Sequence, residues 1–92
     1  MTVTIAGITF DRVRYDAEGD VLYLHVGEPL TAADFDASVE GHHIRYGEDG
    51  AIVGITIVNA RRIFEETGEI VITLPEQRVR ARNLADVLVA AA

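Results

Sequence analysis

The sequence predicts an α+β domain that is mainly β. Two tandem β-hairpins and their flanking strands form an antiparallel sheet, a short helix follows the second hairpin, and a second helix closes the chain. Three observations carry this expectation. The stretch from Tyr15 to Leu24 has the same grammar as that from Tyr46 to Ile55: a tyrosine, two acidic residues, a glycine four places on, then an apolar run. Apolar residues elsewhere alternate with period two, as in strands buried on one face. Helical spacing enters only after Asn59 and after Asn83.

Taken in order, Val3 and Ile5 alternate with Thr2 and Thr4 as a half-buried strand, Ala6-Gly7 interrupts, and Ile8 and Phe10 restart an alternation that runs to Tyr15. Gly7 reads as a bulge or turn. Asp16-Ala17-Glu18-Gly19 and Gly47-Glu48-Asp49-Gly50 each suit a four-residue loop on a type I turn, with glycine at the position needing positive φ. Such loops place Val13 opposite Leu22, Arg12 opposite Tyr23 and Ile44 opposite Val53. One face then collects Val13, Leu22, Leu24, Val26, Ile44, Val53, Ile55 and Ile57. Arg12, Arg14, Val21, Tyr23, His25, His43, Arg45, Ile52, Gly54 and Thr56 take the other. A three-residue loop sends Arg14 and Arg45 to the core side, so that register is rejected.

Gly27 to Asp36, with its proline and aspartates, reads as a surface crossing. Asn59 suits the cap of a helix over Ala60 to Thr67, with Gly68 as its stop and Ile63 and Phe64 as its apolar side. Glu69 to Leu74 is a strand closed by Pro75. Arg78, Arg80 and Arg82 fall in an extended or irregular stretch. Asn83 and Asp86 then open a helix whose apolar stripe is Leu84, Val87, Leu88 and Ala91.

The 92 residues amount to one domain near the lower edge of what buries an independent core, so self-association, first as a homodimer, is expected. There is no cysteine, which removes disulfides, thiolate metal sites and cysteine nucleophiles. No apolar run approaches the roughly 20 residues that span a bilayer, and no basic leader precedes the first strand. A cytoplasmic protein is the expectation. The formal charge of −7 disfavours nucleic acid and anionic membrane and favours a basic protein partner. Every one of the eight basic residues is arginine, a planar and stackable cation.

The residues from Tyr15 through Leu24 and from Ile44 through Ala60, including Arg45-Tyr46, Asp49-Gly50, Ile52-Val53-Gly54-Ile55 and Val58-Asn59-Ala60, resemble the small bacterial family known as domain of unknown function 2283. The resemblance covers the middle of the chain, roughly residues 12–60. It implies a compact antiparallel β unit and no established activity. It also implies that relatives are sometimes encoded beside small toxin-like proteins.

Candidate chemistry is sparse. Adjacent strand residues His42 and His43 point to opposite faces, so they do not share a metal. His25 neighbours His43 on the outer face if the hairpins pack side by side, which is the basis of an alternative expectation: a small-molecule or metal-binding enzyme with a site near those two histidines at a subunit interface. Asp16, Glu18 and Asp20 are too few for a calcium loop and read as turn chemistry. No phosphate loop or nucleophile motif occurs, and no cofactor, metal site or catalytic residue is read. The favoured constellation is Tyr15, Tyr23 and Tyr46 with the arginines, and its outer-face members Arg12, Arg14, Tyr23, His25, His43 and Arg45 form the candidate interaction surface. Arginine and tyrosine are enriched at interface hot spots. The expectation is therefore a self-associating interaction module, antitoxin-like, rather than an enzyme.

Overall fold

A computed structural model describes residues 1–27 and 34–90. Strands β1 (Val3–Ile5) and β2 (Ile8–Phe10) form a hairpin whose two-residue turn, Ala6 and Gly7, has φ of 55° and 78°. Positive φ at both positions marks the type I′ turn, whose twist matches that of the strands it joins. Val3, Ile5 and Phe10 are buried, while Thr4 and Thr9 share a hydroxyl hydrogen bond of 3.1 Å on the exposed side.

The main sheet has five antiparallel strands. The first predicted hairpin is β3 (Arg12–Asp16) with β4 (Val21–His25), and the second is β6 (His43–Tyr46) with β7 (Ile52–Val58). The strand order β3-β4-β7-β6-β5 sets the two hairpins side by side through β4 and β7. β5 (Asp34–Ala37) adds an edge beside β6. The expected surface crossing is therefore a strand from Asp34 onward, and its part over residues 28–33 lies outside the described residues. Asp34 and Asp36 pair with Tyr46 and Ile44 on the core side of this edge, where a charge discourages another strand from adding on.

Both loops differ from expectation by small slips. In the first, Asp16 pairs with Val21, so the four-residue loop is 17–20 and Asp20, not Gly19, takes the positive φ of 54°. The pairing slides by two residues: Arg14 faces Tyr23 and Arg12 faces His25, while every side chain keeps its predicted face. In the second, the Gly47 N–H bonds the Ala51 carbonyl at 2.8 Å and the Gly50 N–H bonds that of Gly47 at 3.0 Å, with Gly50 at φ 82°. This is the three-residue loop with a left-handed glycine. A bulge then inserts Val53 between Tyr46↔Ile52 and Arg45↔Gly54, which restores Arg45 to the outer face and pairs Ile44 with Ile55. Ile52 packs on the core in the place expected for Val53, and Val26 is 39% exposed.

Helix α1 (Ala60–Thr67) ends at Gly68, φ 77°, whose N–H bonds the Phe64 carbonyl. Its start is not capped by the Asn59 side chain, because Asn59 itself is left-handed. Asp20 from the first loop does that work: its carboxylate accepts the N–H groups of Arg61 (2.7 Å) and Arg62 (3.2 Å), and its carbonyl accepts that of Ala60 (3.1 Å). β8 (Ile70–Thr73) pairs with β9 (Arg78–Ala81), so the arginine-bearing stretch is a strand. Helix α2 (Ala85–Ala90) buries Val87 and Leu88, and Leu84 just before it is buried too. The Asn83 amide donates to the Thr4 carbonyl at 3.0 Å, tying the start of α2 to β1, and Ala91 lies outside the described residues.

The core lies on one side of the five-stranded sheet. Leu22, Leu24, Ile44, Ile55 and Ile57 meet Phe10, Ile70, Ile72, Leu84 and Leu88 from the two small hairpins and the helices. Burying one such side chain contributes about 1.5–3 kcal/mol. His42 is 1% exposed among them: its Nδ1 accepts the Val58 N–H at 3.3 Å, and burial holds its pKa below the usual value. Among the described residues no helix is long and apolar enough to cross a membrane.

Candidate functional site

An antiparallel sheet needs burial on only one face. The opposite face here carries arginine, aromatic and histidine side chains in two rows that cross the strands. One row is Arg12, His25, Gly54, Arg45 and Phe35. The other is Arg14, Tyr23, Thr56, His43 and Ala37. All six residues expected to form the interaction surface belong to these rows.

Two arginines lie over rings. The Arg14 guanidinium carbon is 4.4 Å from the centre of the Tyr23 ring, and that of Arg45 is 5.3 Å from the centre of Phe35. Stacking of this kind contributes about 0.5–1 kcal/mol at exposed sites and fixes the guanidinium plane while leaving its N–H edges outward. The expected partner of Tyr23 was Arg12; the two-residue slide of the first hairpin makes it Arg14 instead.

Between the rows lies an open groove of about 550 Å³. Arg12, Arg14, Tyr23, His25 and Arg45 line it together with Thr56, so five of the six expected residues share one concavity, and His43 follows Thr56 along the second row. Gly54 lies beside His25 and Arg45 in the first row. A Cβ there would come 3.0 Å from His25 Cδ2 and 3.3 Å from the Leu24 carbonyl oxygen, so a side chain at this position would crowd the imidazole. The Asp11 carboxylate, also at the groove, accepts the Gly27 N–H at 2.7 Å, which holds its pKa down. His25 Nδ1 lies 3.3 Å from the Gly27 carbonyl.

Other expected members are drawn elsewhere. Tyr15 and Tyr46 pack against the core. Burial, and then the 2.7 Å hydrogen bond that Tyr15 donates to Asp20, push the Tyr15 phenol up to about 12. Burial favours a higher pKa for Asp20, yet the bonds from Tyr15, Arg61 and Arg62 hold its carboxyl below the usual range. Asp16 accepts the N–H groups of Glu18 and Gly19, the turn role expected of it. His25 and His43 stand two strands and one row apart, about 11–12 Å between Cα atoms in a regular sheet. Among the described residues no three His, Asp or Glu side chains are grouped to hold a metal.

Phe35 and Asp11 escaped the sequence reading. Asp34-Phe35-Asp36 alternates as a strand does, but the acidic flanks and upstream proline masked that signal. Asp11 had no signal apart from its position between β2 and β3.

Comparison with known proteins gives one family. A family model described as "Protein of unknown function (DUF2283)" matches residues 12–61. That span holds the five-stranded sheet, the arginine, tyrosine and histidine side chains of the groove, and the first residues of α1. No curated protein and no solved structure matches the chain.

Proposed function

This chain belongs to the DUF2283 family, a family of unknown function, and from the geometry of its outer sheet face we propose that it is a protein-interaction module of the cytoplasm that docks a partner on that face. The observation that carries the reading is the groove. Five residues of one sheet face, two of the arginines already held by aromatic rings, converge on a single open concavity. Pre-oriented arginine and tyrosine lose little entropy on docking and are the residue types that dominate interface energetics.

An antitoxin-like role, neutralising a partner by stoichiometric binding, belongs to the same proposal. The net charge of −7 steers a basic protein toward the chain at long range. The chain also self-associates, as a dimer, through a surface other than the groove. A two-fold interface sets each patch against its own copy, and arginine against arginine there would repel.

Co-expression with the product of the adjacent gene tests the reading. The wild-type chain is expected to give a stoichiometric complex that Arg14→Gln/Tyr23→Ala does not form. A complex undiminished in that variant would remove the outer face from the function. Sedimentation at micromolar concentration tests the dimer, which a monomeric mass would rule out.

A further inference from the structure

The groove is locally opposite in sign to the rest of the molecule. On a chain with fifteen acidic and eight basic residues, its lining includes the exposed Arg14 and the half-buried Arg45, and the one carboxylate among its described lining residues, that of Asp11, accepts a backbone N–H. Elsewhere three arginines are paired with carboxylates: Arg61 with Glu65 at 2.9 Å, and Arg80 and Arg82 with Glu69 at 2.9 and 3.1 Å. Arg14 and Arg45 have no carboxylate partner among the described residues; each is held instead by a ring. A guanidinium stacked on one face keeps its planar fork of donors free for a carboxylate, which it binds bidentately.

The spacing of these two forks selects among acidic ligands. Arg14 on β3 and Arg45 on β6 are separated by three strand intervals and one row. In a regular sheet that is about 14–16 Å between Cα atoms. An extended chain rises about 3.3 Å per residue, so side chains four residues apart on one face are about 13 Å apart and reach both arginines. His25 on β4 and Thr56 on β7 lie on the strands between them and line the same groove.

We infer that the groove is a receptor for an extended acidic segment of a partner protein, with carboxylates at positions i and i+4 seated on Arg14 and Arg45. The inference rests on the outer face being the docking surface and names what docks there. Net negative charge and the groove then act at different ranges. The first attracts a partner that is basic overall, and the second selects the acidic segment that seats.

Titration of the isotopically labelled full chain with Ser/Thr peptides tests it by amide and arginine side-chain NMR. One peptide carries Glu at i and i+4, a second carries Lys there, and a third carries adjacent Glu residues. The first should shift resonances of Arg14, Tyr23, His25, Arg45 and Thr56, bind more tightly than the other two, and weaken with salt. Arg14→Gln and Arg45→Gln, both on the solvent side, should each weaken it by about tenfold. Tighter binding of the Lys peptide on this face would overturn the acidic class while leaving the docking reading intact. Inorganic phosphate saturating the same resonances, with nothing added by peptide, would overturn it in favour of a small-anion site. A dimer mass lost in Arg14→Gln/Arg45→Gln would overturn it in favour of a second copy. The docking reading itself fails separately, if the adjacent-gene complex is indifferent to Arg14 and Tyr23.

Discussion

The two faces of the five-stranded sheet are built from the same strands by opposite rules. On the inner face Leu22, Leu24, Ile44, Ile55 and Ile57 are at most 2% exposed and interlock with side chains from both small hairpins and the helices. On the outer face the neighbours of those same residues are Tyr23, His25, Arg45 and Thr56, half-buried by one another and open to the groove. One face sets the free energy of the fold and the other sets what the fold presents. Alternation along each strand makes this division possible, because a substitution on one side leaves the other in register.

The sharpest way to break the comparison is on the inner face. Leu22→Ala leaves a cavity against Ile57 and should cost about 2–5 kcal/mol in a urea unfolding experiment, whereas Arg14→Gln should stay within about 0.5 kcal/mol. Equal costs would erase the distinction. Next in size is Asp20→Ala, which removes the acceptor for Tyr15 and for two N–H groups of α1 and should cost about 1.5–3 kcal/mol. Its amide exchange should rise first in α1, near Arg61 and Arg62.

Acid unfolding reports in part on the inner side. Glu40 joins the loop before β6 to Thr73 of β8 through bonds of 2.9 and 2.6 Å from the Thr73 N–H and hydroxyl. Burial favours a higher pKa for Glu40, but those bonds and the Ser38 hydroxyl lower it from 4.5 to about 2. The folded chain then holds the proton less tightly than the unfolded chain, so this contribution is complete above pH 4.5 and is lost as pH falls toward 2. His42 acts the same way from about pH 6.5 downward, because its burial lowers its pKa and the unfolded chain takes the proton first. Glu40→Gln should flatten the fall in stability through the lower window, and an unchanged slope would remove Glu40 from that role. The smallest effect is the coupling of Arg14 to Tyr23. A double-mutant cycle should return about 0.5–1 kcal/mol, and zero would mean that the stack does not hold the arginine.

Much of this division is legible in the sequence because period-two alternation survives slips of two residues. The first hairpin is displaced by two from its predicted register and still sorts Val13, Leu22 and Leu24 from Arg12, Arg14 and Tyr23. The second has a three-residue loop where the spacing predicts four, yet the bulge at Val53 cancels the shift for every residue beyond it. Only Ile52 and Val53 exchange places. What alternation does not encode is long-range pairing. Nothing near Asn59 announces that its helix is capped by Asp20, 41 residues before Arg61, and nothing near Phe35 announces Arg45. The doubled tyrosine motif is likewise not one device used twice. Tyr15 has Asp20 five residues on and binds it, whereas the same position after Tyr46 is Ala51.

The most direct test of the division is an amide chemical-shift map of the full chain in complex with the adjacent-gene product. The predicted map places its large changes at Arg12, Arg14, Tyr23, His25, His43, Arg45 and Thr56, and leaves α1, β8 and β9 unchanged. Changes concentrated on α1, β8 and β9, with the outer face silent, would contradict it.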